Sequence, residues 1–351
     1  MRALMTVSFF ASRKLGVLGL LLATVLIAGS ARAQEAGDQE KTVRILTIGN
    51  SFANNAVTFL QEMATAAGKR IVIGRANRGA CSLQMHAEGL VAYLADPLDP
   101  KGKIYRLAAG AALPGWSADV PGQEAFSLPE ALQAQKWNFV TIQQVSTSSF
   151  SEDTYEPYAG ELISCIRKYA PQAEILVHRT WAYREDSSRF TDGTFTQQMM
   201  FDGLKKAYDD LAAHYGLRII PTGDAFQAAR GTARWRFVKD AKFDFSKPQP
   251  GMLPEQNGSL NVGWRWAKDK VTGEPKLVLD ANHANRFGNY LGSSVFYEMI
   301  FGESVESNSF LPQGMTEADA TDLRFIAHKT VEEIRVGGTL SVAPQRQISH
   351  R

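Results

Sequence analysis

Val43-Arg44-Ile45-Leu46-Thr47-Ile48-Gly49-Asn50-Ser51-Phe52 carries the first decision about this chain. The apolar run from Val43 to Ile48 reads as a strand buried on both faces, Gly49 permits a tight turn, and Ser51 falls at or near the entrance of the following helix. Runs of the same kind recur at Arg70 to Gly74, Phe139 to Ile142, Glu174 to His178 and Leu217 to Pro221. Helical stretches lie between them: Val57 to Ala67, Ser82 to Leu94, Leu128 to Lys136, Tyr155 to Tyr169 and Thr196 to Tyr215. Phe287, Leu291, Val295 and Met299 step by four and set an apolar stripe on a helix after Asn285, and a last helix is expected from Thr316 to Arg335. Alternating strands and helices predict an α/β layered fold around a mostly parallel sheet with right-handed crossovers. Two stretches, about 96–126 and 231–276, break the rhythm and read as insertions in a domain running from 43 to 336.

At the N-terminus, Arg13 and Lys14 precede the apolar run Leu15 to Gly29, and Ala31-Arg32-Ala33 offers small residues where a signal peptidase reads. Residues 1–33 are therefore expected to be a cleaved leader and 34–42 a linker, making the protein periplasmic or secreted. The apolar run, about 14 residues, is shorter than the roughly 20 that span a bilayer, which argues against a stable membrane anchor. Removing the leader leaves 318 residues, enough for one large domain. A composition of 44% hydrophobic and 21% charged residues excludes a disordered, collagen-like or coiled-coil chain. Lys and Arg total 38 against 36 Asp and Glu, and four of the basic residues (Arg2, Arg13, Lys14, Arg32) lie in the leader. The mature chain then carries −2, with no electrostatic footprint for nucleic acid. Export would permit a Cys81–Cys165 disulfide, but their turn-like and helical settings favour two separate buried thiols. No close Cys pair and no His-Glu-x-x-His is present, so neither metal nor cofactor is expected. The polar tail, 337–351, is expected to fray.

Ligands of an open parallel sheet bind at the carboxyl ends of its strands, which is where Ser51 lies. A serine there is a candidate nucleophile; it is equally the residue type of a helix cap. Asp280-Ala281-Asn282-His283 supplies what a nucleophile needs. An imidazole can take the serine proton near neutral pH, and a carboxylate three residues earlier can turn back to orient it. The plainer reading is a loop carboxylate and a histidine at a helix start.

Gly49-Asn50-Ser51-Phe52, Gly79, Gln143-Gln144 and Asp280-x-x-His283 together resemble the SGNH (GDSL-like) hydrolase superfamily. Ile48 to Phe52, Gly79 to His86 (Gly-Ala-Cys-Ser-Leu-Gln-Met-His) and Val140 to Gln144 resemble its DUF4886 branch of bacterial exported proteins, over about residues 43 to 302. The resemblance implies a flavodoxin-like three-layer sandwich, a five-stranded parallel sheet of order 2-1-3-4-5 with helices on both faces. It implies that Ser51 attacks an ester carbonyl, with His283 as base and Asp280 as its partner. The oxyanion would be held by the N–H groups of Ser51 and Gly79 and by a side-chain amide. Where the superfamily pattern has Gly-x-Asn-Asp, this chain has Gln143-Gln144, and where it has an Asp before the nucleophile, Asn50 stands. Adjacent strand residues point to opposite faces, so only one glutamine can serve. Gln144, nearer the strand end, is the expected donor, with Gln143 the alternative.

His86 and Trp181 are the candidate substrate-binding residues, each open to a packing role. Trp235, Phe237, Trp264 and Trp266 in the second insertion suit stacking on sugars or hairpin packing. The expected activity is an esterase removing a short acyl group, such as acetyl, from a small-molecule or carbohydrate ester. The alternatives are a lipase or thioesterase of the same fold, and a carbohydrate-binding protein in which Ser51 is only a cap.

Overall fold

The computed structural model describes residues 42–107, 112–113, 116–117 and 124–336. The expected leader, residues 34–41 of the linker and the tail 337–351 lie outside them. Five strands form the main sheet: β1 (Thr42–Gly49), β2 (Arg70–Asn77), β3 (Phe139–Ile142), β4 (Glu174–His178) and β5 (Arg218–Ile220). Their order is 2-1-3-4-5 and all run parallel. Register is set by Ile45 beside Phe139, Val140 beside Ile175 and Val177 beside Ile219. Ile45, Leu46, Thr47 and Ile48 are all buried, so both faces of β1 are covered.

Nine α-helices lie among the described residues: α1 (Ser51–Ala56), α2 (Leu60–Ala66), α3 (Leu83–Ala95), α4 (Leu128–Gln133), α5 (Tyr158–Tyr169), α6 (Gln197–Tyr215), α7 (Thr222–Arg230), α8 (Arg286–Phe301) and α9 (Glu317–Val336). Helices α3, α4 and α5 pack together, while α1, α2, α7 and α9 all pack on α8. The apolar stripe expected on α8 is real: Leu291, Val295 and Met299 are buried. Strand boundaries agree closely with the sequence reading, but three elements differ. The first helix is two short ones, beginning at Ser51. A helix, α7, follows β5 directly. Asp280 and His283 lie on a strand, β7 (Pro275–Ala284), which forms an antiparallel hairpin with β6 (Asn261–Lys268).

The first insertion contains two small ladders, 105–106 with 125–126 and 112–113 with 116–117. The second runs without helix from 231 to β6. Cys81 and Cys165 are free and buried, and burial pushes their thiols up to about 11 and about 12.

Candidate active site

The serine turn leaves β1 at Gly49, and its shape depends on that glycine. A β-carbon there would sit 2.7 Å from Cγ of Gln143. Asn50, not Ser51, caps α1: its Oδ1 accepts from the Phe52 N–H at 3.1 Å. The Ser51 hydroxyl is thereby released from capping, and its Oγ lies 2.8 Å from Nε2 of His283.

The hairpin explains how Asp280 and His283 meet. Residues three apart on a regular strand face opposite ways. Between the pairs Asn261/Ala284 and Gly263/Asp280, however, β7 has more residues than β6, a bulge that turns the His283 ring back onto Asp280. His283 Nδ1 lies 3.0 Å from both carboxylate oxygens, and the His283 N–H donates to Oδ1 at 3.0 Å. Burial raises the Asp280 carboxyl, but the hydrogen bonds from the His283 ring and backbone outweigh it and hold the group below its ordinary value. An ionised Asp280 only accepts, so Nδ1 carries the imidazole proton and Nε2 offers a lone pair to the serine hydroxyl. This arrangement can draw a proton from Ser51 and stabilise the imidazolium that results.

Gly79, after β2, is exposed in a turn whose next residue, Ala80, adopts a left-handed conformation (φ 56°). The N–H groups of Ser51 and Gly79 have no acceptor among the described residues. Gln144, the expected amide donor, is committed elsewhere. Its Oε1 accepts from the N–H groups of Leu83 (3.0 Å) and Val145 (2.8 Å), and its Nε2 donates to the Thr154 carbonyl at 2.9 Å. Gln143 is the one that adjoins the serine turn, packing on Gly49 and donating from Nε2 to Asn50 Oδ1 at 3.0 Å.

Neither expected substrate-binding residue is accessible. Trp181 is fully buried, stacked between Phe52 (4.4 Å) and Phe226 (4.5 Å), and its indole N–H donates to the Asn282 carbonyl at 2.8 Å. It supports the strand that carries His283. His86 is also fully buried, bonded to Tyr105 Oη at 2.7 Å and the Gly49 carbonyl at 3.1 Å. The insertion aromatics make protein contacts: the indole N–H groups of Trp235, Trp264 and Trp266 donate to Asp322, Asp186 and the Met252 carbonyl, and Phe237 lies under the Arg184 guanidinium.

Sequence reading did not single out Asn261, His178 or the capping role of Asn285. Asn261 Nδ2 donates to the Asn282 carbonyl, and Asn285 Oδ1 caps α8 while its Nδ2 bonds the Ser259 and Asn261 carbonyls. The one available signal was Asn285, an asparagine immediately before an apolar helical stripe.

Fold and site together define a parallel α/β protein with a Ser–His–Asp hydrogen-bonded chain at the carboxyl edge of its sheet. The chain belongs to the DUF4886 family: the model for "Domain of unknown function (DUF4886)" matches residues 44–244, a span that ends before the hairpin bearing Asp280 and His283. Among solved structures, it is similar to a DUF4886 family protein from Bacteroides uniformis ATCC 8492, at 22% identity and a TM-score of 0.59, covering 83% of this chain and 95% of that one. This likeness shows the shared fold. A protein from Slackia heliotrinireducens, provisionally described as an SGNH hydrolase, is 20% identical over 73% of this chain and 98% of its own, with a TM-score of 0.43. A protein from Parabacteroides merdae ATCC 43184, provisionally described as a GDSL-like lipase, is 12% identical over 74% and 95%, with a TM-score of 0.40. No curated protein matches the chain.

Proposed function

We propose that this protein is an exported serine esterase of the SGNH type. The observation that carries the reading is the unbroken chain from Ser51 Oγ to His283 Nε2 (2.8 Å) and from His283 Nδ1 to Asp280 (3.0 Å), with Asn50 taking the cap role that would otherwise explain the serine. In the reaction, Ser51 Oγ attacks the ester carbonyl while His283 takes its proton, and Asp280 stabilises the imidazolium. The unpaired N–H groups of Ser51 and Gly79 receive the oxyanion, while Gln143, its amide bonded to Asn50 and His178, braces the turn that presents Ser51. Collapse breaks the C–O bond, the alcohol leaves with the proton from His283, and water activated by the same histidine releases the acid.

The substrate class is a short-acyl ester of a carbohydrate. Ser51 is half-buried and the His283 side chain is 36% exposed, so a bulky polar alcohol can remain in solvent while a small acyl group meets the serine. The test is a series of chromogenic esters from acetyl to octanoyl, with release of acetate from acetylated saccharides measured alongside. The expected result is kcat/KM highest for acetyl, with no turnover by Ser51→Ala. Preference for octanoyl would favour a lipase, and saturable sugar binding without turnover a binding protein. Export is tested by N-terminal sequencing of the mature protein, which is expected to begin at Gln34.

A further inference from the structure

Two imidazoles are linked to the serine turn, one directly and one through Gln143, without entering the proton transfer proposed above. His86 comes from α3 and His178 from the end of β4, and both are fully buried. Burial drives their pKa values down to about 4 and about 3, so near neutral pH each is uncharged and holds a single ring N–H.

The partners decide which nitrogen carries that proton. The Gly49 carbonyl can only accept, so His86 presents Nε2–H to it and Nδ1 accepts from the Tyr105 hydroxyl. For His178, the decision passes through two amides. The Phe52 N–H only donates and the Cys81 carbonyl only accepts, which fixes Asn50 with Oδ1 toward Phe52 and Nδ2 toward Cys81. Gln143 must then turn its NH2 to Asn50 Oδ1 and its Oε1 to His178, 2.7 Å away, so His178 carries its proton on Nδ1. The other nitrogen, Nε2, is buried without a hydrogen-bond partner, and the imidazole meets the Phe296 ring in a T-shaped contact, centroids 4.9 Å apart. An unpaired buried acceptor costs stability. An apolar side chain would fill the same space without it, so filling space does not account for an imidazole here.

We infer that His86 and His178 are positioning residues that hold the serine turn through opposite tautomers, His86 by donating from Nε2 to the Gly49 carbonyl and His178 by donating from Nδ1 through Gln143 to Asn50. Both act on the two residues before Ser51, one on the backbone and one on the α1 cap. Displacing a nucleophile by about 1 Å costs on the order of 10² in rate. The kinetic consequence rests on the esterase reading; the tautomers rest on the hydrogen bonds alone.

The test uses crossed amide substitutions, because glutamine places its amide nitrogen near the site of Nε2 and asparagine near that of Nδ1. At position 86, His86→Gln is expected to keep kcat within about fivefold and His86→Asn to lose on the order of 10². At position 178 the order reverses: His178→Asn retains activity and His178→Gln loses it, with KM little changed throughout. Nitrogen-15 NMR of the imidazoles in the wild-type protein is expected to show His86 protonated on Nε2 and His178 on Nδ1, and it decides the inference even where a variant fails to fold. The same amide preferred at both positions, kcat losses that merely follow melting temperature, or reversed tautomers would overturn it. If the wild type hydrolyses no ester, the esterase reading fails, while the NMR result still stands or falls by itself.

Discussion

Lowering the pH from 7 to 5.5 is expected to cost the fold about 2.5 kcal/mol through His86 and His178. In the unfolded chain both imidazoles titrate near 6.5. In the native protein burial holds them neutral down to about 4 and about 3. Below about 6.5 the unfolded state therefore binds protons that the native state refuses, and stability falls with pH. The contribution is nearly complete at pH 7 and declines until the native groups themselves titrate. Each histidine adds a slope approaching 1.4 kcal/mol per pH unit, and integrating two of them from pH 7 to 5.5 gives the total of about 2.5 kcal/mol. Against a typical stability of about 5–15 kcal/mol the loss is large. Urea unfolding at pH 7.0, 6.25 and 5.5, followed by fluorescence of buried Trp137 and Trp181, measures it. The double variant His86→Gln/His178→Asn has nothing to titrate at either place and is expected to lose most of that slope. A parent protein whose stability changes by less than about 0.5 kcal/mol, or a double variant with the same slope as the parent, would refute the linkage.

Gln143→Ala, which cuts the link from His178 to Asn50, is expected to lower kcat on the order of 10² with little change in KM and to cost about 1–3 kcal/mol of stability, whereas Gln144→Ala, which strands the Leu83 and Val145 N–H groups, lowers stability by a similar amount and leaves kcat largely intact; steady-state kinetics beside urea unfolding on both variants separate them. Asp280→Asn removes the acceptor that sets the His283 tautomer and is expected to cost about 10⁴ in kcat, read with a chromogenic acetyl ester. Trp181→Ala opens a cavity between Phe52 and Phe226 and is expected to destabilise by about 3–5 kcal/mol in chemical denaturation, with a further fall in kcat because the Asn282 carbonyl loses one of its two donors and keeps only Asn261.

The main sheet was legible because its central strands, β1, β3 and β4, are buried on both faces and therefore appear as apolar runs. Ser51, Asp280 and His283 were legible as residue types. Their geometry was not, because the bulge that brings His283 onto Asp280 breaks the two-residue periodicity by which a strand is recognised. The helix α1 was hidden by Asn54 and Asn55, poor helix formers within a six-residue element. The helix α7 was obscured because Pro221 reads as the end of the last strand run and Gly223, a poor helix former, stands in the first turn. Gln143 and Gln144 make different hydrogen bonds, and which of them adjoins the serine turn was not legible, because the packing of Gly49 on Gln143 joins residues 94 positions apart. His86 and Trp181 take the packing role that was open to each, and the sequence could not decide it because their burial comes from distant partners, Tyr105 and Gly49 for one, Phe226 and Asn282 for the other.

The central claim, that Ser51 is a nucleophile activated by His283, is tested most directly by fluorophosphonate labelling followed by peptide mapping. The expected result is one adduct per chain, on Ser51, that is absent in Ser51→Ala and slowed by orders of magnitude in His283→Ala while both variants remain folded. Labelling on another residue, or none with the wild-type protein folded, would contradict it.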